Sequence, residues 1–189
     1  MSKRTRLYTV DERYEATQLV RGRFRDEIYH RDADGRDVLV RATESQPNLI
    51  VATLPVLLAG LMANESTFRG GILYHALGEG LASWNAAIEK PPVDQVELVS
   101  EFFRKAPDSI TFLDDQGRPS ARPTTAILVK TTFDYEDKGA NGRVIREQGL
   151  FGGPATEARG SGLLVNAINH PGLWKDETIR LVRFIQLMF

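Results

Sequence analysis

The sequence contains no cysteine among its 189 residues. This absence excludes disulfide bonds, thiolate metal sites and a cysteine nucleophile, and leaves stability to packing and oligomerisation. An excess of one charge is also missing, because 24 lysines and arginines face 25 aspartates and glutamates, for a formal net charge of -1. A chain with so little net charge has no field that would hold a nucleic acid or an anionic membrane. Dedicated nucleic-acid binding is therefore not expected.

Long hydrophobic runs are missing as well. The longest apolar run, 49–63, is shorter than the roughly 20 residues that a membrane-spanning helix needs, and Pro55 and Gly60 interrupt it. The basic residues 1–6 are followed by charged residues rather than by an apolar stretch, so a secretory signal peptide is not expected. We expect no membrane span.

The composition that is present, with 42% hydrophobic residues, suffices for one globular domain. Residues 1–16 show little apolar periodicity and are interpreted as an N-terminal arm that gains order against a partner. Residues 17–189 form the predicted domain. At its start, two strand candidates, 19–29 and 38–40, flank a segment whose aspartates and glycine favour a tight turn, which predicts a hairpin.

A helix is predicted near 48–64. Asn48 can cap a helix that begins at Leu49, and Pro47 precedes the cap, where a proline removes no helical hydrogen bond. The segment is apolar on nearly every side, so we expect it in a core or in a subunit interface, with a kink at Pro55.

The rest of the chain shows the spacing of strands. The segment 72–77 resembles a short buried strand, 81–93 a long loop, and 96–105 is compatible with a helix or a strand, of which we favour the strand. From residue 109 onwards alternating segments are separated by Gly, Pro, Asn and Asp clusters; they comprise 110–112, 126–133, 143–150, 163–168 and 178–189. This pattern predicts a mainly β fold, an antiparallel β-sandwich-like domain with one buried α-helix. In the last segment Arg183 is the only charge on an otherwise apolar face that ends at Phe189.

No segment completes a catalytic, cofactor or metal motif. The histidines, His30, His75 and His170, are far apart and lack a second ligand at helical spacing. Residues 32–37 resemble the start of a calcium loop, but Thr43 stands where the bidentate glutamate would be needed, so we interpret them as a turn. We therefore predict no catalytic, cofactor-binding or metal-binding residues and no enzymatic activity.

Two other glycine-rich segments also lack a complete catalytic or cofactor motif. Residues 78–80 lack the third glycine of a dinucleotide loop, and 159–162 is not the five-residue elbow of a nucleophilic serine. For Glu147, which lies beside Arg146, the expected role is a cross-strand or interface ion pair.

The C-terminal half carries a resemblance to a known family. Residues 133–136 are followed by Ala140-Asn141-Gly142 and then by Ile145-Arg146-Glu147-Gln148-Gly149-Leu150-Phe151. This order resembles a pattern of phage tail-fibre and baseplate-associated proteins, which also occur in contractile injection systems. Gly139 stands where the commoner pattern has an acid. Weaker similarities upstream and downstream extend the resemblance over about 20–189.

The resemblance implies a structural virion protein, assembled in the bacterial cytoplasm as a homo-oligomer with other tail or baseplate proteins. It would act as an adaptor to which fibres or other tail parts attach, and it would need no cofactor. Glycines around Leu150 and Phe151 and the loop positions of two tryptophans make five residues candidates for the interface: Trp84, Leu150, Phe151, Trp174 and Phe189. The glycine-rich segment is equally compatible with a plain bulged turn, and each tryptophan with a place over the edge of the core. The alternatives are a receptor-binding tip module that contacts a host surface, a capsid decoration protein, and a small hydrolase. The Asn-Gly pair at 141–142 is expected to form a tight reversal between two strands.

Overall fold

The structure, a computed structural model, describes residues 20–189. The predicted arm, 1–16, lies outside the described residues. The described part contains eleven strands, one α-helix and one 3-10 helix, in the order β1 Arg21–Arg31, β2 Asp37–Ala42, β3 Gln46–Ile50, α1 Leu54–Met62, β4 Gly70–Gly78, the 3-10 helix Ala82–Asn85, β5 Glu101–Lys105, β6 Ser109–Leu113, β7 Pro119–Ser120, β8 Ala126–Phe133, β9 Arg143–Gly153, β10 Leu163–Lys175 and β11 Ile179–Met188. The predicted mainly β fold class is confirmed.

All strand pairs are antiparallel, and together they form one hydrogen-bonded sheet with the order β5-β4-β9-β10-β3-β1-β11-β8-β6-β7, to which β2 adds by pairing with β1. In this order the strands β5, β4, β9 and β10 form one half of the sheet, and the strands β1, β11, β8, β6 and β7 form the other. The side chains of the two halves pack against each other. One core cluster joins Leu77 of β4 to Phe133 of β8 and Leu181 of β11, and another joins Leu150 of β9 to Ile185 of β11. The result is a two-layer arrangement around an apolar interior.

Strand β3 connects the two halves. Its residues Gln46, Pro47 and Asn48 pair with β1, whereas Leu49 and Ile50 pair with β10. The side chain of Asn48 packs against Gly22 of β1, where a Cβ would lie 1.6 Å from Oδ1 of Asn48. A larger residue at position 22 would therefore displace the Asn48 side chain.

The β1–β2 hairpin is confirmed. Oδ1 of Asp32 accepts hydrogen bonds from the backbone N–H groups of Asp34 and Arg36, at 2.9 and 2.8 Å, and Gly35 has a φ of 78°. This is an aspartate-stabilised turn, as the sequence predicted for 32–37. Along β2, Leu39 pairs with Tyr29 and Arg41 with Ile28, so that Val40 is the extra residue of a β-bulge.

The predicted bounds of the helix are wrong at its start. Asn48 does not cap a helix, because it lies in β3, and α1 begins only at Leu54 after Thr53. Pro55 stands in the first turn, where its missing N–H costs no hydrogen bond, so it does not kink the helix. The helix is also only half covered: Leu54 and Leu57 are buried, whereas Met62 is 86% exposed.

The reversal predicted at Asn141-Gly142 takes another form. Gly142 has a φ of 72°, but Asn141 is not in the left-handed region, so the turn is not the two-residue type that joins paired strands. The connection leads instead from β8, which pairs with β6 and β11, to β9, which pairs with β4 and β10. It therefore passes from one layer to the other.

Candidate functional site

A buried polar cluster crosses the interior between the two layers. His75 of β4 is 0% exposed, and its ring nitrogens lie 2.9 Å from Oγ1 of Thr131 and 2.8 Å from Oε1 of Gln148. Because the Gln148 oxygen can only accept, Nε2 carries the proton, and Nδ1 accepts from the Thr131 hydroxyl. Burial, with the positive charge of Arg183 as a second cause, lowers the pKa of His75 to about 3. The imidazole is therefore neutral near pH 7.

Arg183 of β11 lies beside this histidine and is 1% exposed. Its Nη2 donates to Oδ2 of Asp26 on β1 at 3.1 Å and to Nε2 of His170 on β10 at 2.8 Å. His170 can accept at Nε2 because its Nδ1–H donates to the carbonyl of Pro171 at 2.7 Å. Burial, followed by the charge of Arg183, lowers the pKa of His170 to about 3. One guanidinium nitrogen thus joins three strands from both layers.

A cavity of about 160 Å³ opens beside this cluster, lined in part by Asp26, Arg41, Thr43, His170 and Arg183. Oδ1 of Asp26 and Nε and Nη1 of Arg183 are buried and have no hydrogen-bond partner among the described residues. Both ring nitrogens of His170 are engaged, and Oγ1 of Thr43 accepts the backbone N–H of Asp26 at 2.8 Å. The cluster therefore holds strands together, and neither His170 nitrogen is left to act as a base.

Glu147 of β9 is 0% exposed and does not form the expected ion pair. Its carboxylate instead accepts three backbone N–H groups, from Gly80 at 3.2 Å, Ser100 at 2.6 Å and Val99 at 2.9 Å. Burial raises the pKa of Glu147, and these hydrogen bonds oppose the rise. The side chain fastens both ends of the connection between β4 and β5 to the sheet, which explains the ordered path of that long loop.

Lys175 of β10 organises the connection between β8 and β9. Its Nζ donates to the carbonyls of Asp134 and Asp176, at 2.8 and 3.0 Å, and to Oδ1 of Asn141 at 2.6 Å. Nδ2 of Asn141 in turn donates to the carbonyl of Tyr135 at 2.7 Å. Burial lowers the pKa of Lys175, and the neighbouring acids oppose that shift. Asn141, which belongs to the Ala140-Asn141-Gly142 motif, is thus hydrogen-bonded to Lys175 in the connection that passes from one layer to the other.

Arg104 of β5 holds the segment before β10. Its guanidinium pairs with Glu101, with Nε 2.5 Å from Oε1, and it donates to the carbonyls of Thr156 and Ser161, both at 3.0 Å. The same group lies over the ring of Phe151, 4.5 Å from the ring centre.

The five predicted interface residues fall into two groups. Trp84, Leu150 and Phe151 are buried within the chain, at 2%, 0% and 0% exposure, so their side chains have almost no surface to offer a partner and the interface prediction for them has to be corrected. Trp84 lies under Gly80, whose added Cβ would be 2.3 Å from the indole ring. Trp174 and Phe189 are about half exposed and remain available for contacts.

Other large apolar side chains are exposed that the sequence interpretation did not single out. They lie on β2, on α1, along the connection between β4 and β5 and on β6, and comprise Val38, Leu39, Val40, Val56, Leu61, Met62, Leu81, Ile88, Val96, Val99, Ile110 and Phe112. The exposure of β2 could not be predicted from its sequence. Its run of apolar residues is the same as that of a strand buried on both faces.

An apolar cavity of about 320 Å³ lies where β3 crosses between the layers. Its lining includes Phe24, Leu49, Ile88, Pro91 and Ile168. Asn169, which also lines it, donates from Nδ2 to the carbonyl of Glu89 at 2.9 Å and so holds the loop at the edge of the cavity.

Within residues 20–189 no group of three or more histidine or acidic side chains is placed to hold a metal ion. In the same part of the chain no helix has the length and apolar character needed to cross a membrane. Comparison with known proteins gives no family whose sequence model matches the chain and no curated protein that resembles it significantly.

Proposed function

We propose that this chain is a structural subunit of a phage-type tail or a related injection system, an adaptor that acts through contacts with copies of itself and with other tail or baseplate proteins. The assignment to a tail rests on the sequence resemblance to phage tail-fibre and baseplate-associated proteins. The observation that carries the proposal is the exposed apolar surface of α1 and β2. Exposed apolar side chains on a firmly held helix or strand are typical of sites that another protein covers.

The helix supplies the clearest patch. Val56 is 55% exposed and Met62 86%, although the helix carries no charged side chain that would keep it in solvent. Leu61, which shares the face of Leu54 and Leu57, is 37% exposed at the end of the helix. The opposite side of α1 is anchored in the core by Leu54 and Leu57. The exposed side is therefore held in a fixed orientation, as an interface requires.

The buried positively charged side chains support a geometric role. Arg183, Arg104 and Lys175 each connect strands or loops that are far apart along the chain, through side chains that are fully or nearly fully buried. Such charged networks specify one arrangement, because any other leaves a buried charge without a partner. A rigid frame that presents apolar patches fits an adaptor.

The oligomeric state tests the proposal. At micromolar concentration, light scattering after size exclusion should show an oligomer, and Val56→Glu combined with Met62→Glu should shift it towards the monomer. Ser66→Glu combined with Gln116→Glu is the matched control, because it adds the same two charges at exposed polar positions outside the helix. A monomeric wild type, or an equal response to the control, would contradict the role of α1.

The protein composition of purified tails tests the proposal that this chain is a tail protein. Peptide mass spectrometry of tails purified from the encoding strain should find the chain in constant ratio to the other tail proteins. Its absence from such particles would remove the tail assignment, whatever the oligomeric state.

A receptor-binding role is the second candidate, and Trp174 favours it. The indole is 51% exposed, and its Nε1 is fixed by donation to Oδ2 of Asp176 at 3.0 Å, so one apolar ring is held at the surface. Under this hypothesis Trp174→Ala reduces binding of assembled particles to host cells and leaves assembly unchanged. Unchanged binding would reject it.

A further inference from the structure

The cavity of about 160 Å³ beside Asp26 lies between the two layers. Phe24, Asp26 and Ile28 line it from β1, and residues 170–173, which include Leu173, line it from β10. Apolar side chains therefore form part of its wall on both sides. Such walls suit the carbon skeleton of a small organic molecule.

The lining of this cavity carries more positive than negative charge. It contains Arg41 and Arg183, but its one carboxylate, Asp26, already pairs with Arg183. Arg41 lies opposite Ile28 in the pairing of β1 with β2, so its side chain projects from the interior face of the sheet. None of the ion pairs formed within the described part of the chain includes Arg41. One cation of the lining therefore has no counter-ion there.

Other groups of the lining lack hydrogen-bond partners among residues 20–189. Oδ1 of Asp26 is a buried acceptor without a donor, and Nε and Nη1 of Arg183 are buried donors without an acceptor. The Thr43 hydroxyl accepts the backbone N–H of Asp26 at 2.8 Å, and its own hydrogen is left to donate. A complementary ligand therefore offers acceptor oxygens for the donors and one donor for Asp26.

The strand pairing also limits the size of such a ligand. Thr43 is bonded to Asp26 across the two strands, so Arg41 and Asp26 are diagonal neighbours on the same face. Diagonal neighbours have Cα atoms about 7 to 8 Å apart. A molecule of a few carbon atoms can therefore contact both side chains at once.

We propose that this cavity binds a small carboxylate that carries a hydroxyl or amino group on the neighbouring carbon. The carboxylate pairs with Arg41, which is exposed and can be reached from solvent, and the hydroxyl or amino group donates to Oδ1 of Asp26. The alkyl part lies against the apolar walls. This site goes beyond the proposed function and does not depend on it, because it uses no apolar side chain of α1 or β2.

Three probes with the same carbon skeleton test the contact with Asp26. Lactate and alanine carry a hydroxyl or an ammonium group next to the carboxylate, whereas propionate carries only hydrogen there. Saturation-transfer NMR on the full-length chain should show that lactate and alanine bind with dissociation constants on the order of millimolar. Propionate should bind at least about fivefold more weakly, because it leaves Oδ1 of Asp26 without a donor.

The variant Arg41→Gln tests the contact with the carboxylate. It removes the charge at the cavity and should raise the dissociation constant of lactate at least about tenfold. Arg36→Gln, in the adjoining turn, is the matched control, because Arg36 is equally exposed but does not line the cavity. It should change the constant less than about twofold. Neither arginine is buried, so both variants should fold like the wild type.

Three outcomes would overturn the proposal. If water alone fills the cavity, none of the three acids gives a saturation-transfer signal at millimolar concentration, and the site is rejected. If propionate binds as tightly as lactate, the contact with Asp26 is rejected, and with it the ligand class. If Arg41→Gln binds lactate like the wild type, the carboxylate does not pair with Arg41. None of these readouts depends on oligomeric state, so a failure of the site leaves the proposed function standing.

Discussion

Asp26 and Arg183 lie 157 positions apart in the chain and meet in the interior, where Nη2 of the arginine is 3.1 Å from Oδ2 of the aspartate. The two residues face each other across neighbouring strands, because β1 and β11 pair in a register that sets Asp26 opposite Arg183. The first and last described strands of the fold are thus joined both by backbone hydrogen bonds and by a buried charge pair.

We predict that Asp26→Ala lowers the free energy of unfolding by about 3 kcal/mol or more, because it leaves the Arg183 charge buried without its carboxylate. Urea denaturation at pH 7 measures the change. The control is Asp34→Ala, which breaks the Arg36 pair at 3.5 Å in solvent and should cost at most about 0.5 kcal/mol. Equal losses would show that the buried pair contributes no more than the exposed one.

We predict that stability falls as the pH is lowered from about 6.5 towards 3. The folded-state pKa of both His75 and His170 is about 3, below the usual value of 6.5 in the unfolded chain. The contribution of each histidine is therefore complete above pH 6.5, and between these values the unfolded state binds the extra proton. Each neutral histidine then costs up to about 1.4 kcal/mol per pH unit.

The variant His75→Gln tests this dependence, because it removes one of the two histidines that are protonated on unfolding. The part of the slope of unfolding free energy against pH that the two histidines supply should fall by up to half. The same change at the exposed His30 serves as the control. If the slope is unchanged in His75→Gln, the conclusion that His75 stays neutral in the folded chain is wrong.

We predict that Glu147→Gln loosens the connection between β4 and β5. The amide keeps one oxygen acceptor but turns an NH2 group towards a backbone N–H, so at least one buried donor loses its partner, at a cost of about 1 to 3 kcal/mol. Hydrogen exchange should accelerate at the amides of Gly80, Val99 and Ser100. Glu79→Gln is the neighbouring control, since its ion pair with Arg143 is largely exposed; a matching acceleration there would reject the anchoring role of Glu147.

We predict that Phe151→Ala destabilises the folded chain by about 3 to 5 kcal/mol, because the ring is fully buried and packs beneath the Arg104 guanidinium. Trp174→Ala should change the unfolding free energy by less than about 1 kcal/mol, since half of that side chain is in solvent. Thermal and urea unfolding of both variants distinguish the two residues. A larger loss for Trp174→Ala would contradict the packing described here.

Local chemistry explains what could be predicted from the sequence. The Asp32 turn, the hairpin it closes and the strand 126–133 follow from side chains that act within a few residues, and the structure has them where the pattern placed them. The start of the helix failed for the opposite reason. Asn48 and Pro47 carry the local signals of a helix cap, but pairing with β1 and β10, which lie far away in sequence, keeps them in a strand.

The polar interior could be read from the sequence only in part. Arg183 stood out as the one charge on an apolar face, but nothing local identified Asp26 or His170 as its partners. Trp84 is an interface candidate in the sequence because it lies in a loop with prolines nearby, whereas the path of that loop is set by Glu147, 63 positions further along the chain. Side-chain anchors of this kind become visible only in three dimensions.

The strand β3 has a mechanical consequence. Its first three residues pair with one layer and its last two with the other. A force that pulls one layer along the other therefore has to break backbone hydrogen bonds and cannot simply slide two packed faces past each other. A shear load that enters through α1 or β2 would therefore pass into the opposite layer along a continuous covalent and hydrogen-bonded path.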